Sequence, residues 1–265
     1  MSSGAAAEQC VACCSMPSDD TALVPHGILT DYYACEQDRR AYVQGIFNQT
    51  AADYDRVERM MAFGSGSWYR RRALQTAGLC SGMSVLDVGT GTGLVAREAV
   101  RIVGTPALVT GVDPSAGMIS NAKVPVGVRL LAGSAESIPA ADGAADFLSM
   151  GYALRHISDL SVAFSEFHRV LKSGGRLCLL EITRPEGFIH RAALKIYMRG
   201  FVPLASRLVA RRAGMPELMR YYWDTIDACA SPASIMSALS SAGFRGVVRT
   251  VDLGIFSMYC GHKPP

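Results

Sequence analysis

The chain has 265 residues, 49% of them hydrophobic and 18% charged, and a formal net charge of +3. That size buries one large core with room for a lid or a terminal extension, and so small a charge does not mark a nucleic-acid surface. No apolar run reaches the ~18 residues of a spanning helix, and a basic leader followed by an apolar block is missing at the N-terminus. Both features predict a cytoplasmic protein.

Residues 1–37 begin with an aperiodic stretch rich in Ala, Ser and Cys and are expected to form a flexible tail. Cys10, Cys13 and Cys14 fall in it without a second cysteine pair or a histidine partner nearby. A zinc site needs four ligands, or three and a water, so no metal is expected. The remaining cysteines fit a reduced compartment without disulfides.

Residues 38–265 read as one domain. Between 38 and 80 the apolar spacing is helical, with Tyr42, Ile46, Phe47, Tyr54, Val57, Met60 and Met61, then Trp68, Tyr69 and Leu74. Gly64-Ser65-Gly66-Ser67 divides this block into at least two helices. From 83 to 184 strands alternate with helices, the strands at 84–88, 107–112, 127–132, 145–150 and 174–183. Such alternation predicts a mostly parallel sheet covered on both faces. A lid insertion is expected over 185–230. Ser231-Pro232 then opens a helix ended by Gly243, and two closing strands follow near 246–251 and 254–260.

The densest motif is Val85-Leu86-Asp87-Val88-Gly89-Thr90-Gly91-Thr92-Gly93, an apolar strand running into three alternate glycines before a helical pattern starts at Leu94. Twenty residues beyond Gly93, the next apolar run ends in Asp113, followed by Pro114. Strand, glycine turn, helix, strand and acid make half of a nucleoside-binding α/β unit. The glycines let backbone N–H groups approach a ligand, and a carboxylate at the second strand's tip can accept both ribose hydroxyls. The spacing is G-x-G-x-G, whereas dinucleotide sites use G-x-G-x-x-G or G-x-G-x-x-A, and Leu94 stands where the third small residue would be. That disfavours a pyrophosphate. The arrangement resembles the glycine loop of class I S-adenosylmethionine-dependent methyltransferases.

Ligands of such sheets sit beyond the carboxyl ends of the strands, so the residue after each strand is a candidate. Met118 can lie against an adenine ring or simply fill the core. Ala135 and Glu136 can meet the adenine edge, unless Glu136 only caps a helix. Gly151 and the loop Tyr152-Ala153-Leu154-Arg155-His156 should face the methyl group and its acceptor.

The chain is similar to the ubiquinone/menaquinone-biosynthesis type of C-methyltransferase from about Tyr42 to His262. The likeness rests on Phe47, Tyr54-Asp55, Met61-Phe63-Gly64, the glycine loop, and Ala135-Glu136-Ser137-Ile138-Pro139. It continues through Leu154-Arg155-His156, the run Arg169 to Arg176, and Glu181. The resemblance implies a Rossmann-like seven-stranded, mostly parallel sheet with one antiparallel strand. It also implies metal-free methylation of a ring carbon on a polyprenylated hydroquinone, with S-adenosyl-L-methionine consumed and S-adenosyl-L-homocysteine produced. Under it, Arg155 helps deprotonate or position the phenol, with Tyr54 nearby. Members commonly carry asparagine at the place of His156 and an acid at that of Leu94. His156 itself, with an ordinary pKa near ~6.5, suits a base that raises electron density on the acceptor.

The stretch from Phe188 to Met215 holds His190, Arg191, Lys195, Arg199, Arg207, Arg211 and Arg212, and no acid lies between Glu186 and Glu217. Interleaved with Phe188, Tyr197 and Phe201, it reads as a lid closing over the acceptor. A basic amphipathic segment of this type can also lie on the inner face of a membrane. The sequence is compatible with a homodimer and gives no sign of nucleic-acid binding. An O- or N-methyltransferase of specialised metabolism on the same scaffold is the nearest alternative. A NAD-linked oxidoreductase and a non-catalytic S-adenosylmethionine-binding module are remoter ones.

Overall fold

The computed structural model describes residues 23–210 and 214–265. Cys10, Cys13 and Cys14, and also Arg211 and Arg212, lie outside the described residues. The expectation of a flexible tail as far as residue 37 is corrected from Leu23 onward. Leu23 O accepts from Leu160 N at 2.9 Å, Pro25 O accepts from Ala230 N, and Tyr33 is buried. The cause is apolar: Leu29, Tyr32 and Tyr33 join a cluster of tyrosines and methionines that the tail's composition did not reveal.

The helical block divides into α1 (Glu36–Met61) and α2 (Gly66–Thr76). The break comes at Phe63 and Gly64, both with positive φ. Next come β1 (Val85–Val88), α3 (Leu94–Val103), β2 (Val109–Asp113), the short α4 (Ala116–Ser120), β3 (Arg129–Ala132) and β4 (Ala145–Gly151). After them lie α5 (Leu160–Val170) and β5 (Leu171–Ile182). The lid segment contains α6 (Phe188–Ile196), a π-helical turn (Tyr197–Phe201), α7 (Val202–Val209) and α8 (Met215–Ala228). The chain closes with α9 (Pro232–Ser241), β6 (Arg245–Asp252) and β7 (Phe256–His262).

The seven strands form one sheet in the order β3-β2-β1-β4-β5-β7-β6. β1 pairs in parallel with β2 and β4, and β7 runs antiparallel to both its neighbours. The chain winds outward from β1 to β3 and returns to β4 on the other side, so the order switches between β1 and β4. That switch opens a crevice at the carboxyl ends of these strands. The Cβ alternation along β1 divides the core: Leu86 and Val88 pack with Phe164, Phe167 and Leu239 under α5 and α9, whereas Val85 packs with Leu74, Ala96 and Ala99 under α2 and α3. A third cluster joins Ile46 and Val57 of α1 to Met198, Val202, Met219, Tyr222 and Trp223 of the lid segment. It holds the lid against α1, above the crevice.

Candidate active site

The first half of the site is built from the ends of β1 and β2. Gly89, Gly91 and Gly93 have φ of 66°, 56° and 85°, in the left-handed region where a side chain is strained. A Cβ on Gly89 would meet Ala153 Cβ at 2.7 Å and one on Gly93 would meet Val124 Cγ1 at 2.3 Å, while above Gly91 there is open space. The first and third glycines are therefore there for packing and the middle one bounds free volume. Gly93 gives the start of α3 no side-chain cap, which leaves its first N–H groups without one.

Two buried carboxylates brace this loop. Asp87 accepts from Thr90 Oγ1 at 2.6 Å and Ser149 Oγ at 2.7 Å, and burial pushes its pKa up to about 6 against those bonds. Asp113 accepts from Gly91 N at 2.7 Å on one oxygen and from Ser115 N at 2.8 Å on the other. Burial raises the pKa of Asp113, and the two N–H groups oppose the rise. Each carboxylate oxygen has about two acceptor directions, so roughly one per oxygen is left, which matches a vicinal diol. Open space over Gly91, N–H groups at the start of α3 and a half-used carboxylate together fit an adenosyl group.

Around this cradle the remaining candidates differ in what occupies them. Met118 is buried within α4. Pro114 O accepts from Gln44 Nε2 at 3.0 Å, and Asn48 Oδ1 accepts from Ser115 Oγ and Gly117 N at 2.7 and 2.8 Å. Thr92 Oγ1 donates to Asp55, which also pairs with Arg97 at 3.2 Å. Thus α1 forms a wall of the crevice through Gln44, Asn48 and Asp55. Sequence reading missed Gln44 and Asn48 because hydrophobic spacing is silent about polar residues on a helix's other face. Ala135 is buried, but Glu136 Oε1 accepts from Ser158 N at 2.7 Å. Glu136 therefore braces the loop after β4, which leaves its second oxygen for any ligand. At Gly151 a Cβ would lie 2.5 Å from Val95 Cγ2, so its role is to let α3 approach β4.

The second half is a cavity of about 190 Å³ under the lid, walled by Tyr54, Met61, Trp68, Tyr152, Met219 and Tyr222 among other largely apolar residues. Arg155 enters this wall fully buried. Its Nη1 donates to Glu181 and to Tyr152 O (2.9 Å), its Nε donates to Thr225 Oγ1 (3.2 Å), and its guanidinium lies 4.6 Å from the centre of the Tyr222 ring. Nη2 is buried with no protein partner. Glu181 raises the pKa of Arg155 despite burial, so the guanidinium stays charged and cannot take up a proton. Of the two tasks that the resemblance implied for it, positioning fits this environment and deprotonation does not. Tyr222 Oη donates to Tyr54 Oη at 2.9 Å, and burial raises both phenols' pKa, which keeps them protonated.

His156 is a correction. It does not line the cavity; its ring stacks on Tyr221 at 5.6 Å and meets the edge of Phe47 at 5.2 Å. Both ring nitrogens are buried without protein partners, and burial together with the Arg155 charge lowers its pKa well below 6.5. Its ring packs against Phe47, Tyr221 and Tyr222 outside the cavity, a setting that does not match the task expected of it. The lid candidates divide as well. Tyr197 lines the cavity and donates from Oη to Met61 O at 2.9 Å. Phe201 stacks on Tyr197 from outside at 5.7 Å, and Phe188 points into solvent with 85% of its surface exposed. An amphipathic pattern gives the spacing of the apolar residues but not which stripe turns inward. Among the described residues no three His, Cys, Asp or Glu side chains gather as metal ligands, and no helix is long and apolar enough to cross a membrane.

Comparison with known proteins places this geometry among relatives. The model of the ubiE/COQ5 methyltransferase family matches residues 35–263. The ubiquinone/menaquinone biosynthesis C-methyltransferase UbiE of Rubrivivax gelatinosus is 33% identical over 229 residues, covering 86% of this chain and 88% of the relative. Among solved structures, an SAM-dependent methyltransferase from Thermotoga maritima superposes with a TM-score of 0.58 at 23% identity, covering 83% of this chain and 98% of that one. Phosphoethanolamine N-methyltransferase 2 of Haemonchus contortus, solved in complex with S-adenosyl-L-methionine, gives 0.59 at 16% identity over 88% of this chain and 61% of that one. At those identities the two structures speak for the fold.

Proposed function

This chain belongs to the ubiE/COQ5 methyltransferase family and is an S-adenosylmethionine-dependent methyltransferase, and we propose that it methylates a ring carbon of a quinol- or phenol-type acceptor held in the cavity under the lid. The observation that carries this reading is Arg155, whose unpartnered Nη2 stands in an otherwise largely apolar wall. A buried donor calls for an acceptor atom, and apolar walls call for an aromatic or lipid-like body. S-adenosylmethionine supplies a methyl group already activated by its sulfonium.

The chain's own residues bind, orient and exclude water. The Asp113 carboxylate takes the ribose hydroxyls. The N–H groups of Gly89, Thr90, Gly91 and Gly93 are turned back on Val112, Asp113 and Thr90, so this loop shapes the space, and the N–H groups at the start of α3 face the amino-acid side of the donor. Asp87 fixes the loop through Thr90, and Ala135 with Met118 bounds the adenine. Arg155 directs a phenolic oxygen of the acceptor so that its ortho carbon faces the methyl, and Tyr54 with Tyr222 supports that oxygen. Alignment of this type is worth ~7–11 kcal/mol of barrier when it is complete. The test is incubation with labelled S-adenosylmethionine and a panel of quinols, phenols and quinolones, with the new bond located by NMR. A methyl found only on oxygen or nitrogen would refute the carbon assignment.

The lid's outer surface favours contact with a membrane face. Phe188, Ile189, Leu204 and Leu208 are exposed beside Lys195 and Arg207, and a lipophilic acceptor would reach the cavity from such a surface. Vesicle flotation that is indifferent to anionic lipid would remove this part of the proposal.

A further inference from the structure

Arg155 is not the only cation in the cavity wall. Arg70 of α2 lines the same space together with Glu58 of α1. Only 4% of its surface is exposed. Nη2 donates to Glu58 Oε1 at 2.7 Å, whereas Nε and Nη1 are buried with no protein partner. The guanidinium lies 5.4 Å from the centre of the Tyr152 ring, and Tyr69 Oη, on the same wall, is also buried and unpartnered. Gly66 makes room for the pair: a Cβ there would lie 2.5 Å from both Arg70 Nη1 and Glu58 Oε1.

An arginine kept only to tie two helices together would be expected to use its whole fork on carboxylates and carbonyls, as Arg169 does with Glu166, Asp142, Ala140 O and Ile138 O. Arg70 uses one nitrogen of three. We propose that Arg70 is a second oxygen-binding group of the acceptor cavity, donating to a ring oxygen other than the one that Arg155 faces. The inference rests on the reading that the cavity takes an aromatic acceptor, and it assigns the group that would hold a second ring oxygen of that acceptor. Glu58 cancels the guanidinium charge, so the oxygen it takes is a hydroxyl or carbonyl; a carboxylate would bring an unbalanced charge beside Glu58 in a largely apolar wall. Arg155, Arg70 and Tyr54 all line this one cavity.

The test compares para-dihydroxynaphthalene with α-naphthol by calorimetric titration, without oxygen and with S-adenosylhomocysteine present. The wild-type protein should bind the diol roughly ten- to a hundredfold more tightly, the worth of one charge-assisted bond. Arg70→Ala should lose that preference while keeping its affinity for α-naphthol and for S-adenosylhomocysteine, and Arg70→Lys, without the fixed fork, should keep part of it. Should removal of Arg70 alone unfold the protein by stranding Glu58, Arg70→Met combined with Glu58→Gln removes both charges and decides the matter. A diol preference that survives in the Arg70-free protein overturns the inference, as does a wild type that binds both naphthalenes equally. A wild type that binds S-adenosylhomocysteine and neither naphthalene overturns the aromatic-acceptor reading and this inference with it.

Discussion

Asp113→Ala is the most informative single change. The carboxylate accepts two backbone N–H groups, one on each oxygen, and keeps about one acceptor direction per oxygen for the ribose diol. Removing it deletes two bonds to a charged acceptor, each worth ~1.5–3 kcal/mol. Cofactor affinity should therefore fall by ~10²–10⁴-fold. The same change strands the N–H groups of Gly91 and Ser115, at ~1–3 kcal/mol apiece where they remain dry, so the ligand-free protein should melt at a lower temperature too. The two effects separate in Asp113→Asn, which keeps one carbonyl oxygen for a backbone N–H but offers the diol a donor on the other side. Calorimetry with S-adenosylhomocysteine, run well below each variant's own melting transition, reads binding apart from folding. Affinity within threefold of wild type in a folded Asp113→Ala protein would refute the diol assignment.

Three further outcomes follow from the same geometry. Replacing His156 by Phe keeps the aromatic packing and removes two buried, unpartnered ring nitrogens, so turnover should persist and Tm should rise, ~1 kcal/mol being worth ~2–4 °C in a chain of this size class; loss of turnover with cofactor binding intact would restore His156 as a reacting group. Arg155→Met with Glu181→Gln removes the buried pair together and avoids stranding one charge at ~3–5 kcal/mol. In that double variant kcat should fall at least tenfold while S-adenosylhomocysteine still binds, and equal loss of both would contradict the division between cradle and cavity. Asp146, bonded to Ser84 and Lys172, has its pKa lowered to about 2. A lowered folded pKa gives stability that is complete above the ordinary value of 3.8 and lost as pH falls from there towards 2. Thermal melts across that window should show Asp146→Asn losing less stability on acidification than wild type; parallel curves would refute the linkage.

The alternation of strands and helices was legible because each of its signals is local. Val85 to Val88 is a four-residue strand, apolar but for Asp87, and the glycines after it lead directly into the periodic pattern of α3. The same locality made it readable that the Asp87–Gly93 loop and Asp113 come together, as the bonds from Thr90 to Asp87 and from Gly91 N to Asp113 show. What was not readable depends on contacts distant in sequence. Arg155 and His156 are neighbours in one short loop, yet one side chain enters the cavity wall and the other turns into the Phe47–Tyr221 stack. Nothing in the dipeptide tells them apart, since its direction is set by Phe47 of α1 and Tyr221 of α8, both far from it in sequence and on opposite sides. Arg70 was invisible for a related reason. It stands in a run of three arginines, a pattern that usually means a solvated helix face, and only Glu58 and the ring of Tyr152, just past β4, draw it inside.

The cavity's charge balance bears on why carbon is the favoured acceptor atom. Arg155 is matched by Glu181 and Arg70 by Glu58, so the wall is close to neutral and does not repel a sulfonium approaching from the glycine loop. On the proposed reading, a phenol held at Arg155 Nη2 gives its proton to water more readily, because a charge-assisted bond strengthens as negative charge develops on the oxygen. Once the methyl has left sulfur for carbon, that carbon gives up its own hydrogen to water as a proton and the ring regains its aromaticity. Electron density in a phenolate is shared between the oxygen and the ortho and para carbons. With the oxygen engaged by a buried donor, its lone pairs are turned away from the methyl, and a ring carbon becomes the exposed nucleophile. Union of an anionic ring with a cationic donor cancels charge, a change that a dry, low-dielectric cavity favours more than water does. On the proposed reading, the donor bond that recruits the acceptor also selects the atom that reacts, and a neutral wall of paired arginines would allow both charged partners to enter.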